Sequence, residues 1–178
     1  MDATERKQID MDHQVEVDCF RAEDAEGIAA LFRAVYGDGY PIKVFYDPQA
    51  LTQVNEAGEY YSIVTRTSEG LVVGVQHLYR SAPCKSLYEI GAGLALKQYR
   101  NRGLNIRLLR FAFDEWVPSR KDIEGVFGEA ICNHTHMQKA QLSFGYAPTA
   151  MEIALMPAEV YDAERSRTCG DARAVSQS

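Results

Sequence analysis

Two arginines, a glycine and an asparagine lie close together in the segment Arg100-Asn101-Arg102-Gly103-Leu104-Asn105. The residues that follow, IRLLRFAFDEW, have apolar positions at helical spacing, so Gly103 stands at the start of a predicted helix. A helix N-terminus exposes unpaired N–H groups and the positive end of the dipole. The arginines add positive charge, Gly103 lets the backbone approach a ligand closely, and Asn105 is short. This combination predicts an anion-binding site; the alternative is a solvated turn before the helix.

The strand predicted in front of this segment contains two glycines, Gly91 and Gly93, in the sequence EIGAGLALK. Glycine weakens pairing inside a strand and usually marks a bulge or a close approach by another group. A strand opened at this point can pair with an extended ligand. The sequence therefore places a candidate ligand groove directly before the candidate anion site.

These features occur in the order that is typical of one family, and the sequence resembles the GNAT-type N-acetyltransferase superfamily. The family motif, Q/R-x-x-G-x-G/A between a strand and a helix, matches residues 100–105, except that Asn105 replaces the small final residue. The turn Phe144-Gly145-Tyr146 resembles the family's GF turn. The resemblance covers about residues 15–156.

The resemblance implies an acetyl-CoA-dependent transfer of an acetyl group to a primary amine. It implies that the backbone of residues 100–105 binds the pyrophosphate, and that the pantetheine arm adds to the preceding strand like an extra strand. Backbone groups of Leu94 and Leu96 would contact the pantetheine, and an N–H near Leu94 or Ala95 would face the thioester oxygen. The second arm of the V-shaped split would end at Asn133 and continue into the helix that contains Gln138.

Acetyl transfer to an amine needs a base and an acid near the thioester. Glu89 lies eleven residues before Arg100, the offset at which several family members carry a glutamate base; the alternative is a solvent-facing strand residue. Glu129, on the neighbouring strand, is a second carboxylate that can act as base or hold the amine. His134, at a helix start, is a candidate proton donor, although a cap is the commoner role. Gln141 stands where many members have a tyrosine acid.

The acceptor side of the site is predicted from an aromatic-rich loop. Tyr36, Tyr40 and Tyr46 lie in or beside the loop that covers the acceptor amine in this fold. Plain packing is the alternative for such residues. Only one strand is predicted after Gly145, where the family commonly has two, so a second chain in a homodimer is a possible source of the missing wall. The acceptor is expected to be a small-molecule or peptide amine.

The elements that must position these residues follow from periodicity and turn signals. Strands are predicted at 15–20, 60–67, 71–80, 86–97, 123–133 and 147–156. Helices are predicted at 25–35, 47–58, 135–144 and after Gly103. The order βααβββαβαβ predicts an α/β (or α+β) fold with a mixed sheet.

Composition limits the remaining possibilities. The 178 residues carry a net charge of −6 without a basic run, which argues against nucleic acid as a partner. The four cysteines form no pair or cluster typical of a metal site or a disulfide framework, and no long apolar run indicates a membrane segment. We therefore expect a cytoplasmic protein with one domain at 15–160, flanked by flexible tails at 1–14 and 161–178.

Two other functions compete with catalysis by an acetyltransferase. The missing tyrosine and the single late strand favour a non-catalytic domain that senses acyl-CoA. A long-chain N-acyltransferase of the same fold, fed by an acyl-carrier protein, would need a basic docking patch and an apolar tunnel. Its candidate cations, Arg107, Arg110, Arg120 and Lys121, are too scattered to establish such a patch.

Overall fold

A computed structural model describes residues 15–100, 102–131, 135–152 and 176–177. The predicted N-terminal tail at 1–14 lies outside these residues, and so does the predicted C-terminal tail except for residues 176–177. Three predicted site residues, Asn101, Asn133 and His134, also lie outside the described residues.

Five strands form the main sheet in the order in which they occur in the chain. They are β1 (Val15–Cys19), β2 (Tyr60–Thr67), β3 (Val72–Tyr79), β4 (Leu87–Ala95) and β5 (Gly125–Phe127). The first four are antiparallel neighbours, whereas β4 and β5 run parallel. A tight turn joins β2 to β3, and Gly70 supplies its left-handed backbone with φ of +83°.

Two helices cover one face of this sheet. Helix α1 (Asp24–Tyr36) ends at Gly37, which has a positive φ. Helix α2 (Pro48–Glu56) begins after Asp47, whose carboxylate accepts hydrogen bonds from the amides of Gln49 and Ala50. Their apolar side chains pack on the sheet in a buried core of Ala25, Ile28, Leu31, Phe32, Phe45, Leu51, Val64, Val72 and Val75.

Two further helices cover the opposite face of the sheet. Successive strand residues point to opposite faces, so the same strands contribute side chains to the cores on both sides. Helix α3 (Leu104–Arg110) continues as a π-helical turn (Phe111–Trp116) and a 3₁₀ turn (Val117–Ser119); α4 is Thr135–Ser143. Their core consists of Ile63, Leu78, Tyr88, Ile90, Leu108, Leu109, Ala112 and Ala140. Within the described ranges, we find no helix with the length and apolar character that crossing a membrane requires.

Three short strands form a second sheet and correct two predictions. The strand predicted at 123–133 is interrupted after Phe127, and the chain resumes as β6 (Ala130–Ile131) in the other sheet. Strand β7 (Met151–Glu152) is followed by β8 (Ser176–Gln177), which pairs antiparallel with both β6 and β7. The prediction of a single strand after Gly145 is therefore wrong. The sequence pattern missed β8 because its two residues are polar and show no apolar alternation.

Candidate functional site

The central feature of the site is a split between β4 and the chain that follows β5. In the β4–β5 contact, Leu87 pairs with Gly125 at one end and Glu89 pairs with Phe127 at the other. Beyond this point, β4 continues to Ala95 without β5. The chain after β5 turns away at Gly128 and pairs in the second sheet. The edge of β4 beyond Glu89 is therefore left without a β5 partner, as the sequence predicted for a splayed strand.

A glycine is required where the split opens. A Cβ on Gly128 would lie 2.6 Å from Nε2 of Gln141 and 3.2 Å from Cγ2 of Ile90. The chain can pass between β4 and α4 only because this position has no side chain. Gln141, the residue in place of the family's tyrosine, consequently lies directly at the opening.

The predicted bulge is present in β4. Val75 pairs with Leu94, and His77 pairs with Gly91. Between these two pairs, β3 has one residue, Gln76, and β4 has two, Ala92 and Gly93. Ala92 has φ of +51° and is the one non-glycine residue with a positive φ in the described ranges. A left-handed alanine costs about 1–2 kcal/mol, so the surrounding contacts must hold this conformation.

The β3–β4 register decides which backbone groups of β4 face the open edge of the strand. The amide of Leu96 donates to the Val73 carbonyl at 2.9 Å, and the Leu96 carbonyl accepts from the Tyr99 amide at 2.9 Å. In an antiparallel pair, the backbone groups of every second residue face the same neighbour. Those of Leu94 therefore also face β3, whereas those of Ala95 face outward. The backbone groups of Ala95, rather than those of Leu94 and Leu96, therefore face the open edge of β4.

The candidate anion site lies at the start of α3. Gly103 adopts a left-handed conformation with φ of +70°, and its carbonyl accepts the first intrahelical bond, from the Arg107 amide, at 3.0 Å. The amides of Leu104, Asn105 and Ile106 precede this bond, and no side chain caps them in the part of the chain that the structure describes. No described atom outside the local backbone lies within 4 Å of the Cβ that Gly103 lacks. Among the described residues, the space on the side where Gly103 lacks a side chain is therefore open.

The two arginines of the motif are anchored to the loop between β4 and α3. Arg100 is exposed, and its Nε donates to the outward-facing carbonyl of Ala95 at 3.1 Å. The guanidinium of Arg102 lies over the ring of Tyr99, 5.4 Å from the centroid. Both cations are therefore held beside the helix start, where they contribute positive potential.

Glu89 lies beside the split and is held by a residue that the sequence did not single out. The Tyr79 hydroxyl donates to Oε1 of Glu89 at 2.6 Å across the β3–β4 pair. A Cβ on Gly91 would lie 2.6 Å from that hydroxyl, so Gly91 makes room for this pair. Burial, followed by the charge of Glu89, raises the pKa of Tyr79, which keeps the hydroxyl a donor.

The second carboxylate and two more tyrosines are in the same neighbourhood. Glu129 lies between β5 and β6, and its charge acts on Tyr79. Tyr60 stacks on Tyr79 with 5.4 Å between ring centroids, and burial together with the charge of Glu89 raises the pKa of Tyr60. The fold thus brings two carboxylates and a pair of tyrosines together at the split.

The three tyrosines predicted on the acceptor side take different positions. Tyr40 lies close enough to Tyr79 to influence its pKa, and its ring centroid is 4.9 Å from that of Tyr36. Tyr46 has a structural role, because its hydroxyl accepts the Tyr40 amide at 2.9 Å and the Lys43 ammonium lies over its ring. Tyr40 therefore lies near Tyr79, which holds Glu89.

Helix α4 forms the other side of the split. Gln138 is half-buried on this helix, and Met137 Sδ lies 4.0 Å from Nδ2 of Asn105 at the start of α3. This contact brings α4 beside the candidate anion site. The role of Gln138 in the second arm stays a prediction, and Asn133 itself is outside the described residues.

One surface pocket lies away from these residues. It has a volume of about 320 Å³ and lies beyond the end of β1; its lining includes Cys19, Asn55, Tyr61, Trp116 and Arg120. None of the candidate catalytic residues contributes to it. The split is an open groove, and its position follows from the point at which β4 and β5 stop pairing.

The splayed sheet, the β4 bulge and the glycine-led helix after β4 define the fold of the GNAT-type N-acetyltransferases. Comparison with solved structures agrees. Spermidine/spermine N-acetyltransferase SpeG from Vibrio cholerae superimposes with a TM-score of 0.66 at 10% identity, covering 94% of this chain and 91% of SpeG. Ribosomal-protein-S5-alanine acetyltransferase from Vibrio fischeri gives 0.65 at 13% identity, covering 92% and 91%.

A third solved structure contains a ligand related to the predicted co-substrate. AAC(6')-Iy, in complex with the bisubstrate analog CoA-S-monomethyl-acetylneamine, has a TM-score of 0.59 at 16% identity and covers 80% of this chain and 97% of that one. Neither the protein-family models nor the curated protein sequences provide a match. The likeness therefore establishes the fold, and the predicted mixed α/β architecture is confirmed.

Proposed function

We propose that the protein is an acetyl-CoA-dependent N-acetyltransferase that acts on a primary amine. The observation that carries this proposal is the uncapped start of α3, which follows the unpaired edge of β4 after a short loop and is linked to it by the hydrogen bond from Arg100 to the Ala95 carbonyl. An extended ligand with an anionic end can occupy both at once. Two of the structural neighbours are acetyltransferases by name and the third binds a CoA bisubstrate analog, which supports the same class of reaction.

The proposed binding of acetyl-CoA uses mainly the backbone. The amides of Leu104, Asn105 and Ile106 suit a pyrophosphate, and Arg100 and Arg102 add charge beside them. The outward-facing groups of Ala95 suit the amides of a pantetheine arm. Acetyl-CoA supplies an acetyl group activated as a thioester.

Glu89 is the proposed base. Tyr79 occupies one carboxylate oxygen, which leaves the second to take the proton from the amine. The nitrogen then forms a bond to the acetyl carbon, the carbon–sulfur bond breaks, and the thiolate of coenzyme A accepts a proton. The carboxamide of Gln141 does not ionise, so it cannot replace the tyrosine acid of related proteins. His134 stays a proposed proton donor.

The acceptor is proposed to be a cationic amine. Glu89 and Glu129 provide negative charge, and the rings of Tyr40 and Tyr60 provide faces that attract an ammonium group. An anionic acceptor would be repelled by the two carboxylates. The names of two neighbours, which refer to spermidine and to a ribosomal protein, agree with small-molecule or peptide amines.

The proposal is tested by coenzyme A release from acetyl-CoA with a panel of amines, together with calorimetry of coenzyme A binding. We expect Gly103→Glu to weaken binding at least tenfold, because it introduces a side chain and a negative charge at the anion site. Gly70→Glu is the matched control. Gly70 has the same kind of left-handed backbone and open surroundings but lies in the β2–β3 turn, so coenzyme A affinity should be unchanged.

Two results would contradict the proposal. If coenzyme A does not bind the wild-type protein, both the binding site and the enzyme assignment are wrong. If acetyl-CoA raises the melting temperature but no amine releases coenzyme A, the protein is an acyl-CoA-binding domain without transferase activity. Equal loss of affinity in both glycine variants would show that the effect is strain and not loss of the anion site.

A further inference from the structure

Gln76 is a fully buried polar residue in the middle of β3 that the proposed chemistry does not use. Its Nε2 donates to the Gly91 carbonyl at 2.8 Å. Its Oε1 has no hydrogen-bond partner among the residues that the structure describes. A buried carboxamide that satisfies only one of its two ends is costly, so a function beyond packing is expected.

The position of Gln76 explains the bulge in β4. Gln76 is the single β3 residue that faces the two β4 residues Ala92 and Gly93. A Cβ on Gly93 would lie 2.1 Å from Oε1 and 2.9 Å from Cδ of Gln76. The carboxamide therefore fills the space beside the bulge, and Gly93 must be glycine because Gln76 is present.

The bulge also contains the strained residue. Ala92 keeps its left-handed φ of +51° between Gly91, whose carbonyl Gln76 binds, and Gly93, against which the carboxamide packs. Without the Nε2 donor, the bulge loses a contact on the Gly91 side. The strain at Ala92 is then no longer opposed by this contact, so the bulge is expected to be less rigid.

We propose that Gln76 is a positioning residue that holds the β4 bulge and thereby directs the Ala92 and Gly93 amides toward the thioester carbonyl of the acyl donor. This inference rests on the proposed function. The bulge places two consecutive residues outside the β3–β4 ladder, where a regular strand has one. Two adjacent amides form a donor pair of the kind that stabilises a developing oxyanion.

Gln76→Met tests the proposal, because it keeps the length and volume of the side chain but removes the donor to Gly91. We expect kcat to fall at least tenfold, while the dissociation constant of coenzyme A, which has no acyl group, changes less than threefold. We also expect amide hydrogen exchange in residues 88–96 to accelerate at least tenfold. Thr65→Val is the matched control: its Oγ1 is likewise buried and unpartnered among the described residues, but it lies on β2, and kcat should be unchanged.

Gln76→Glu provides a second, independent readout. Its carboxyl group can donate to the Gly91 carbonyl only while it is protonated. The ratio of its kcat to that of the wild type should therefore be highest at low pH and fall as the carboxyl ionises, a dependence that a purely structural role would not produce. This variant decides the question if Gln76→Met does not fold.

The failure of the inference can be distinguished from the failure of the proposed function. If the wild type releases coenzyme A and Gln76→Met matches it in kcat and in exchange, Gln76 does not position the bulge. A Gln76→Glu ratio that is independent of pH would overturn the inference in the same way. If the wild type itself has no turnover with any amine, the proposed function is wrong, and the inference about the acyl donor is lost with it.

Discussion

The close packing of Gly91 against the Tyr79–Glu89 pair leads to a prediction that needs no substrate. In Gly91→Ala, the new Cβ would lie 2.6 Å from the Tyr79 hydroxyl and 3.3 Å from Glu89 Oε1, so the hydroxyl must move. The backbone at Gly91 is not left-handed, so the alanine itself introduces no conformational strain. The cost therefore comes from the displaced side chains.

The magnitude follows from two effects. Overpacking a well-packed position costs about 1–3 kcal/mol. Loss of the hydrogen bond to Glu89 adds about 1–2 kcal/mol, less than for a fully buried pair because Glu89 is half-exposed. Restricting the unfolded chain returns about 0.5 kcal/mol. We expect Gly91→Ala to lower the free energy of unfolding by about 2–4 kcal/mol, which corresponds to roughly 5–15 °C in Tm for a protein of this size.

A double-mutant cycle with Tyr79→Phe isolates the cause. Removing the hydroxyl leaves the ring carbon Cζ as the nearest Tyr79 atom, 3.3 Å from the new Cβ, which a small shift can accommodate. In the Tyr79→Phe background, Gly91→Ala should therefore cost no more than about 1 kcal/mol, with a coupling energy of about 1–3 kcal/mol. Urea unfolding of the four proteins provides the measurement. If Gly91→Ala costs the same in both backgrounds, the hydroxyl does not fill this space and the reasoning is refuted.

Two further predictions concern Glu89 and His77. Glu89→Gln should lower kcat by about 100-fold or more with coenzyme A affinity unchanged; its control, Glu124→Gln, removes a carboxylate bonded to Ser86 outside the site and should leave kcat unchanged. Comparable losses in both variants would exclude Glu89 as the base. Burial lowers the pKa of His77 to about 3, below the 6.5 of the unfolded chain, so the unfolded state binds the extra proton below pH 6.5. Between pH 6.5 and 4.5, stability should therefore fall by about 2 kcal/mol more in the wild type than in His77→Gln, as measured by urea unfolding at each pH; parallel pH profiles would show that His77 is not held neutral.

Local sequence signals predicted most of the elements correctly. Alternation marked β1, turn signals marked β2 and β3, and the two glycines of EIGAGLALK marked the bulge in β4. The signals failed where tertiary contacts override the local pattern. The strand predicted across Gly128 is interrupted because Gln141 and Ile90 occupy the space beside it.

The partners of the bulge glycines could not be predicted for a different reason. The connection from β3 to β4 includes Pro83 and is too long for a tight turn to set the register. Without the register, nothing places Tyr79 opposite Glu89 or Gln76 opposite the bulge. The glycines were predicted to admit a ligand, whereas the space beside them is occupied by Tyr79 and Gln76.

The sequence by itself determined most of the order of the elements and the glycine-led helix start, because each depends on residues that are neighbours in the chain. Only the tertiary structure decided which backbone groups of β4 face outward, that Tyr79 holds Glu89 and that Gln76 supports the bulge. These contacts join residues ten to fifteen positions apart on different strands. Their geometry depends on strand register and on the packing of both faces of the sheet, which no local pattern specifies.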